Sequence, residues 1–383
     1  MDVLFSIFAL QTLVGATSHE PVKYSTTPSA VVPWLLPGAP VASPVAVDQS
    51  AIYNRTYYLS DPTIAGVHVV DLETDKQITI VEGFFEGIKA NGTYIKFPGP
   101  SGMTVVPKNN ELWVGDSDGT VKVVDLLTNE IVANISTGAV GRADESAYDP
   151  DTDTVIVSSD QDDPPFVTVI SSATRAVLGK IHFPGAKGIE QPAFNTVLKR
   201  FYVSIPTYPD TPSLSGGAIH SLDIANFSIN ETFPVPECIP AGIAFPSEHS
   251  THLFIGCSGD QITNYDYAAS YVMNVALGGK IIANISMLSG IDQVVYSAKA
   301  EAFYAAASDM TLDGRNGSTG TPVVGVVDAK LLTLTQTIPT NDTNLPHSVA
   351  VDDATGDVVV PIEQLGITVF SPLQESGSGC TAN

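Results

Sequence analysis

Residues 143–160 read ADESAYDPDTDTVIVSSD: a polar doublet, a short apolar strand, a turn, and a second strand rich in β-branched residues. The same order recurs six more times. The units are VDQSAIYNRTYYLSD from Val47, PSGMTVVPKNNELWVGDSD from Pro100, IEQPAFNTVLKRFYVSIP from Ile189 and PAGIAFPSEHSTHLFIGCSGD from Pro240, then IDQVVYSAKAEAFYAAASD from Ile291 and PHSVAVDDATGDVVVPIEQ from Pro346. Starts lie about 40 to 55 residues apart, the period of a blade-type repeat. A third strand follows each pair (VHVVDLE, VKVVDLL, FVTVISS, AIHSLDI, VVGVVDA), and in most units a fourth (QITIVEG, EIVANISTG, AVLGKIHF, LTLTQTI).

Four short strands recurring seven times specify an all-β fold, a seven-bladed β-propeller of four-stranded antiparallel blades. A sandwich or β-helix does not explain that unit. The seventh unit carries only three strands, so an N-terminal segment, Val31–Leu36, is expected to supply the outer strand and close the ring. Pro33 is tolerable there, because an outermost strand has one unpaired edge.

Composition agrees with many turns and little helix. The 383 residues include 31 Gly and 27 Pro, and only 15% are charged, against roughly 25% in an ordinary globular chain. The charge is lopsided, with 41 Asp and Glu against 17 Lys and Arg, a net −24. That balance argues against nucleic acid and anionic membrane surfaces as partners, since phosphate binding needs clustered Lys and Arg. With 13 Tyr and 15 Phe the chain is not a disordered acidic tail.

The apolar run Val3–Val14, followed by Val14-Gly15-Ala16 with small residues at a cleavage position, reads as a signal peptide over 1–16. It is too short to span a bilayer, and no membrane insertion is expected. Residues 17–43 then form the N-terminal segment and ring closure, 44–372 the propeller, and 373–383 a flexible polar tail. Eight Asn-x-Ser/Thr sequons, at Asn54, Asn91, Asn134, Asn226, Asn230, Asn284, Asn316 and Asn341, support a glycosylated, secretory-pathway protein. Most fall on outer strands or far-side turns, which leaves the ring mouth free of glycan except at Asn316 and Asn341. Of three cysteines, Cys238 precedes the first strand of blade five and Cys257 ends its second. Antiparallel pairing brings both to one face, so a disulfide is expected, with Cys380 left over in the tail.

Aligning the units puts one residue from each blade at the entrance of the central channel: Asp48, Ser101, Asp144, Glu190, Ala241, Asp292 and His347. The next positions are Gln49, Gly102, Glu145, Gln191, Gly242, Gln293 and Ser348. Carboxylates converging on one site raise one another's pKa, which suits them to acid–base work. Two long connectors on the same face, Ile205–Gly217 and Ala307–Thr321, are expected to add apolar contacts through Tyr208 and Met310. Most turn aspartates are read as backbone-bonding turn formers.

The runs ADESAYDP…DPPFVTVIS, GIEQP…RFYVSIP and CIPAGIAF…LFIGCSGD resemble secreted seven-bladed propellers of the YVTN/NHL type, over about Val47 to Pro372. Less specifically, a secreted, sequon-rich version is similar to fungal propellers of secondary metabolism, among them the hetero-Diels–Alderases that join a tropolone to humulene. That second resemblance implies a cofactor-free pericyclic enzyme. It would use Glu190, Asp292 and His347 as proton donors, with Asp48, Asp144, Glu145, Gln191, Gln293, Tyr208 and Met310 around the substrate. The partner would be a small apolar or weakly polar molecule and the protein a monomer. Two other readings stay open: a calcium-dependent lactonase of the gluconolactonase type, with carboxylates as hard-cation ligands, and a non-catalytic secreted binding or virulence protein. No nucleophile elbow, His-Glu-x-x-His or Walker loop is present.

Overall fold

The structure is a computed structural model, and it describes residues 19–34, 47–246, 250–308, 322–340, 347–362 and 365–374. Seven four-stranded antiparallel sheets are arranged as the blades of a propeller, with strands in chain order within each of the first six. Blade three is representative: Ser146–Asp149, Thr154–Ser159, Phe166–Ser171 and Val177–His182. Its second strand is buried at every position, because both its faces are covered by neighbouring blades; its fourth is largely exposed. Near-continuous apolar runs in the middle strands and polar alternation in the outer ones follow from that placement.

The outer strands share an edge device. Pairing of the third and fourth strands shifts register at Val69/Val70, Val123/Val124, Val169/Ile170, Ser221/Leu222, Val272/Met273 and Val326/Val327. A bulge twists the exposed edge and discourages pairing with a foreign strand. The turns leading into those strands explain many of the acids. Asp71, Asp125, Asp223 and Asp328 each accept the N–H two residues on, as expected of turn formers.

The ring closes through blade seven, ordered Ala30–Val32, Gly366–Phe370, Asp357–Ile362, Ala350–Asp352. The N-terminal strand is thus the outer strand of the last blade, in the register Ala30↔Val369 and Val32↔Ile367. It starts one residue before the expected Val31 and stops ahead of Pro33, which cannot donate to a ladder. Upstream, Tyr24 is buried in the core between blades six and seven, its hydroxyl 2.6 Å from that of Tyr304. Cys238 and Cys257 form the expected disulfide. A short helix at Gly259–Tyr265, between the second and third strands of blade five, was not expected. No helix among the described residues is long and apolar enough to cross a membrane.

Candidate functional site at the ring mouth

Below the mouth, the innermost strands are tied by long side chains that bridge across the channel. Gln191 of blade four reaches over blade five to blade six, donating to the Val294 carbonyl at 2.9 Å and accepting the Val294 N–H at 3.0 Å. Gln293 of blade six spans blade seven, accepting from the Ser348 hydroxyl and Val349 N–H and donating to the Ser50 carbonyl. Gln49 of blade one accepts the Met103 N–H and donates to the Glu145 carboxyl of blade three. The blades being spanned carry Gly102, Gly242 and Ser348. A Cβ at Gly102 would lie 2.5 Å from the Glu145 Cα, and one at Gly242 would lie 2.5 Å from the Asp292 carbonyl oxygen. Gln191 and Gln293, expected against substrate, therefore act mainly as struts of the ring.

Above these struts the mouth opens into a cavity of about 970 Å³. Its lining brings together Asp48, Asp144, Glu190, Asp292 and His347, which the repeat alignment placed at the entrance, and Glu145 from the position that follows. Their environments differ. The guanidinium of Arg142 pairs with Asp144 at 2.6 Å and with Asp160 through two contacts of 3.1 Å, and lies 3.7 Å from Asp48. Burial pushes Asp48 and Asp144 upward, and Arg142 pulls both back toward the charged form. Glu145 has no such cation: burial first, then the charges of Asp144, Glu190 and Asp292, hold it well above the carboxylate range. Its Oε1 accepts from Gln49, and its buried Oε2 has no hydrogen-bond partner among the described residues. Glu190 is pushed up to about 8 by burial and then by the charge of Asp292. His347 Nδ1 donates to Asp292 at 2.8 Å, with both side chains about one-third exposed.

The opposite wall is apolar and comes from an insertion that the repeat alignment passed over. Between the last strand of blade one and the first of blade two, a hairpin of Ile88–Ala90 and Thr93–Lys96 forms its own two-stranded sheet. Asn91 and Gly92 at its tip have φ of 52° and 83°, the left-handed pair of a tight hairpin turn. Tyr94, Ile95, Lys96 and Phe97 line the cavity with Val140. An Asn-Gly between IKA and TYIK was the available signal for this hairpin. Arg142 had no comparable signal, since a single cation one residue ahead of the repeat unit carries no pattern. The hairpin also carries the Asn91 sequon at its tip, on an element that lines the mouth, which was expected to be clear of sequons apart from Asn316 and Asn341.

Tyr208 does not join the site. The connector folds inward, and its ring is buried in the core between blades three and four with the hydroxyl 2.8 Å from His220 Nε2. An aromatic with a hydrogen-bonding tip finds a better environment there than at an exposed mouth. Met310, Asn316 and Asn341 lie outside the described residues, as do the leader and the tail cysteine. Asn54, Asn91, Asn134, Asn226, Asn230 and Asn284 are all exposed. Among the described residues no three His, Cys, Asp or Glu side chains are grouped to hold a metal ion.

No protein-family model and no curated protein matches the sequence. Solved structures do. A chain of Kuenenia stuttgartiensis hydrazine synthase superposes with a TM-score of 0.65 at 13% identity, over 90% of this chain and 99% of that one. A chain of a mitotic checkpoint complex gives 0.66 at 12% identity, over 96% and 98%. At such identities the similarity shows the fold alone, which is that of a seven-bladed β-propeller.

Proposed function

We propose that the ring mouth is the active site of an enzyme that uses a neutral carboxylic acid to activate a small, largely apolar substrate. The observation that carries the reading is Glu190: a half-buried carboxyl at the cavity, held near pKa 8, and therefore mostly protonated at neutral pH. A catalytic acid works best when its pKa lies near the operating pH. Glu190 would protonate a leaving hydroxyl, which departs as water, while the substrate's ring hydroxyl gives its proton to the Asp292–His347 pair, leaving a neutral conjugated electrophile of the quinone-methide type. Arg142 offers a cation to oxygen on which negative charge accumulates, and the Asp292–His347 pair supplies a second proton relay.

At about 970 Å³ the cavity stands at the upper end for small-molecule sites, with room for two reactants rather than one. Holding an electron-poor heterodiene against an alkene removes the entropic cost of their encounter. A hetero-Diels–Alder coupling, which closes one C–O and one C–C bond, is the form of this chemistry that the resemblance to the tropolone–humulene enzymes implies. The test is coupling of a tropolone-type benzylic alcohol with humulene by purified wild type, Glu190→Gln and His347→Ala. A loss of product of about a hundredfold in Glu190→Gln is expected. Equal rates in the three proteins would remove Glu190 and His347 from the chemistry.

A further inference from the structure

The inserted hairpin is built more firmly than a surface loop needs. Its base is held to blade two, where the Asp116 carboxylate accepts the Phe85 N–H at 3.0 Å and the Phe85 carbonyl accepts the Gly99 N–H at 2.9 Å. Its outer strand is held to the connector between blades two and three, where Lys96 Nζ donates to the Val140 carbonyl at 3.0 Å. The Lys89 ammonium lies 4.2 Å from the centre of the Tyr94 ring and fixes that side chain from behind. A framework so anchored nevertheless leaves apolar side chains in water. Ile95 is 68% exposed, Phe97 72% and Val140 85%. All three line the cavity whose other side carries the acids. Contiguous exposed apolar groups on a soluble protein mark a binding surface.

We propose that this hairpin is the specificity element of the mouth, receiving the apolar body of a ligand whose oxygen-bearing end rests on the acidic side. The ligand class is then a lipophilic alcohol, ketone or ester, and not a sugar, whose hydroxyls would have to shed water against Ile95 and Phe97. The reading rests on the mouth being a small-molecule site, as proposed above, but it concerns binding and not proton transfer. Preorganisation follows from the geometry: the tight turn, the clamp at Asp116 and the tie to Val140 fix the wall before a ligand arrives, so little ordering cost remains on binding.

The probe is prodan, a neutral naphthalene ketone whose emission shifts when it leaves water. Binding is followed by fluorescence titration of wild type, the double variant Ile95→Ser/Phe97→Ser, and the control Leu127→Ser, with glucose as competitor. The double variant changes only exposed side chains, and a melting curve alongside the titration checks that the fold survives. Affinity at least about tenfold weaker in the double variant is expected, with Leu127→Ser, an exposed apolar residue outside the cavity lining, within about threefold of wild type and no competition by glucose. Equal affinity in wild type and the folded double variant, or displacement of prodan by glucose, would overturn the proposal. If the hairpin variant loses binding while Glu190→Gln keeps full coupling activity, the acid mechanism fails and the specificity role stands. An unfolded double variant is replaced by the single Phe97→Leu, expected within about threefold of wild type, and Phe97→Asn, expected to lose binding as the double does; equal affinity in those two would also overturn it.

Discussion

Arg142 and Asp144 meet at 2.6 Å at the edge of the ring mouth, and the same guanidinium holds Asp160 through Nε and Nη2, each at 3.1 Å. The cation thus pulls Asp48 and Asp144 back toward the charged form, while at Glu190 its weaker pull is outweighed by burial and by the charges of Asp292 and Asp160.

Replacing Arg142 by Gln strands several carboxylates without their cation. A loss of about 3 kcal/mol in unfolding free energy at pH 8 is expected. The loss should shrink toward pH 5, because the stranded acids can then take up protons. Urea denaturation at the two pH values measures both.

The pH dependence of the wild type has a fixed sign. Glu190 is raised from 4.5 to about 8, and Asp116 from 3.8 to about 6, in each case first by burial. Each folded state binds a proton that the unfolded chain has released, so stability is fullest below the unfolded values and falls as pH rises through the folded ones. Melting temperature should therefore drop between pH 5 and pH 8. Glu190→Gln should flatten that drop above pH 6, while leaving the part due to Asp116 in place.

Gln191→Leu tests the struts. It removes both partners of Val294 and leaves a buried N–H and carbonyl unpaired, with an expected loss of about 2 kcal/mol. The same substitution at Val197, an exposed apolar position, should change little.

The disulfide closes a loop with a sequence separation of 19 in blade five. Changing both Cys238 and Cys257 to Ala should cost about 3 kcal/mol, read by the denaturation midpoint. The lesion is expected to unfold the ring as a whole, since blade five packs on both neighbours.

How legible was this in the sequence? The blades were, because two adjacent strands and a turn repeat with the same residue types in seven places, and buried strands admit few alternatives. The acid ring followed from the repeat register, so Asp48, Asp144, Glu190, Asp292 and His347 met where alignment placed them. Arg142 did not, because its role comes from three carboxylates on different blades and strands. Tyr208 was misplaced because loop length says nothing about which way a loop folds. The hairpin was overlooked for a different reason: a search for what repeats passes over what occurs once.

The struts carry one more consequence, and it is a matter of parity. Each glutamine pairs a long residue with a short neighbour to be spanned: Gln49 with Gly102, Gln191 with Gly242, Gln293 with Ser348. Three such pairs use six of the seven blades. An odd ring must leave one position over, and here it is Glu145, whose Oε2 finds no partner among the described residues. A six- or eight-bladed ring could close this lattice completely; seven blades guarantee a vacancy in the bonding pattern, and this chain fills it with an acid.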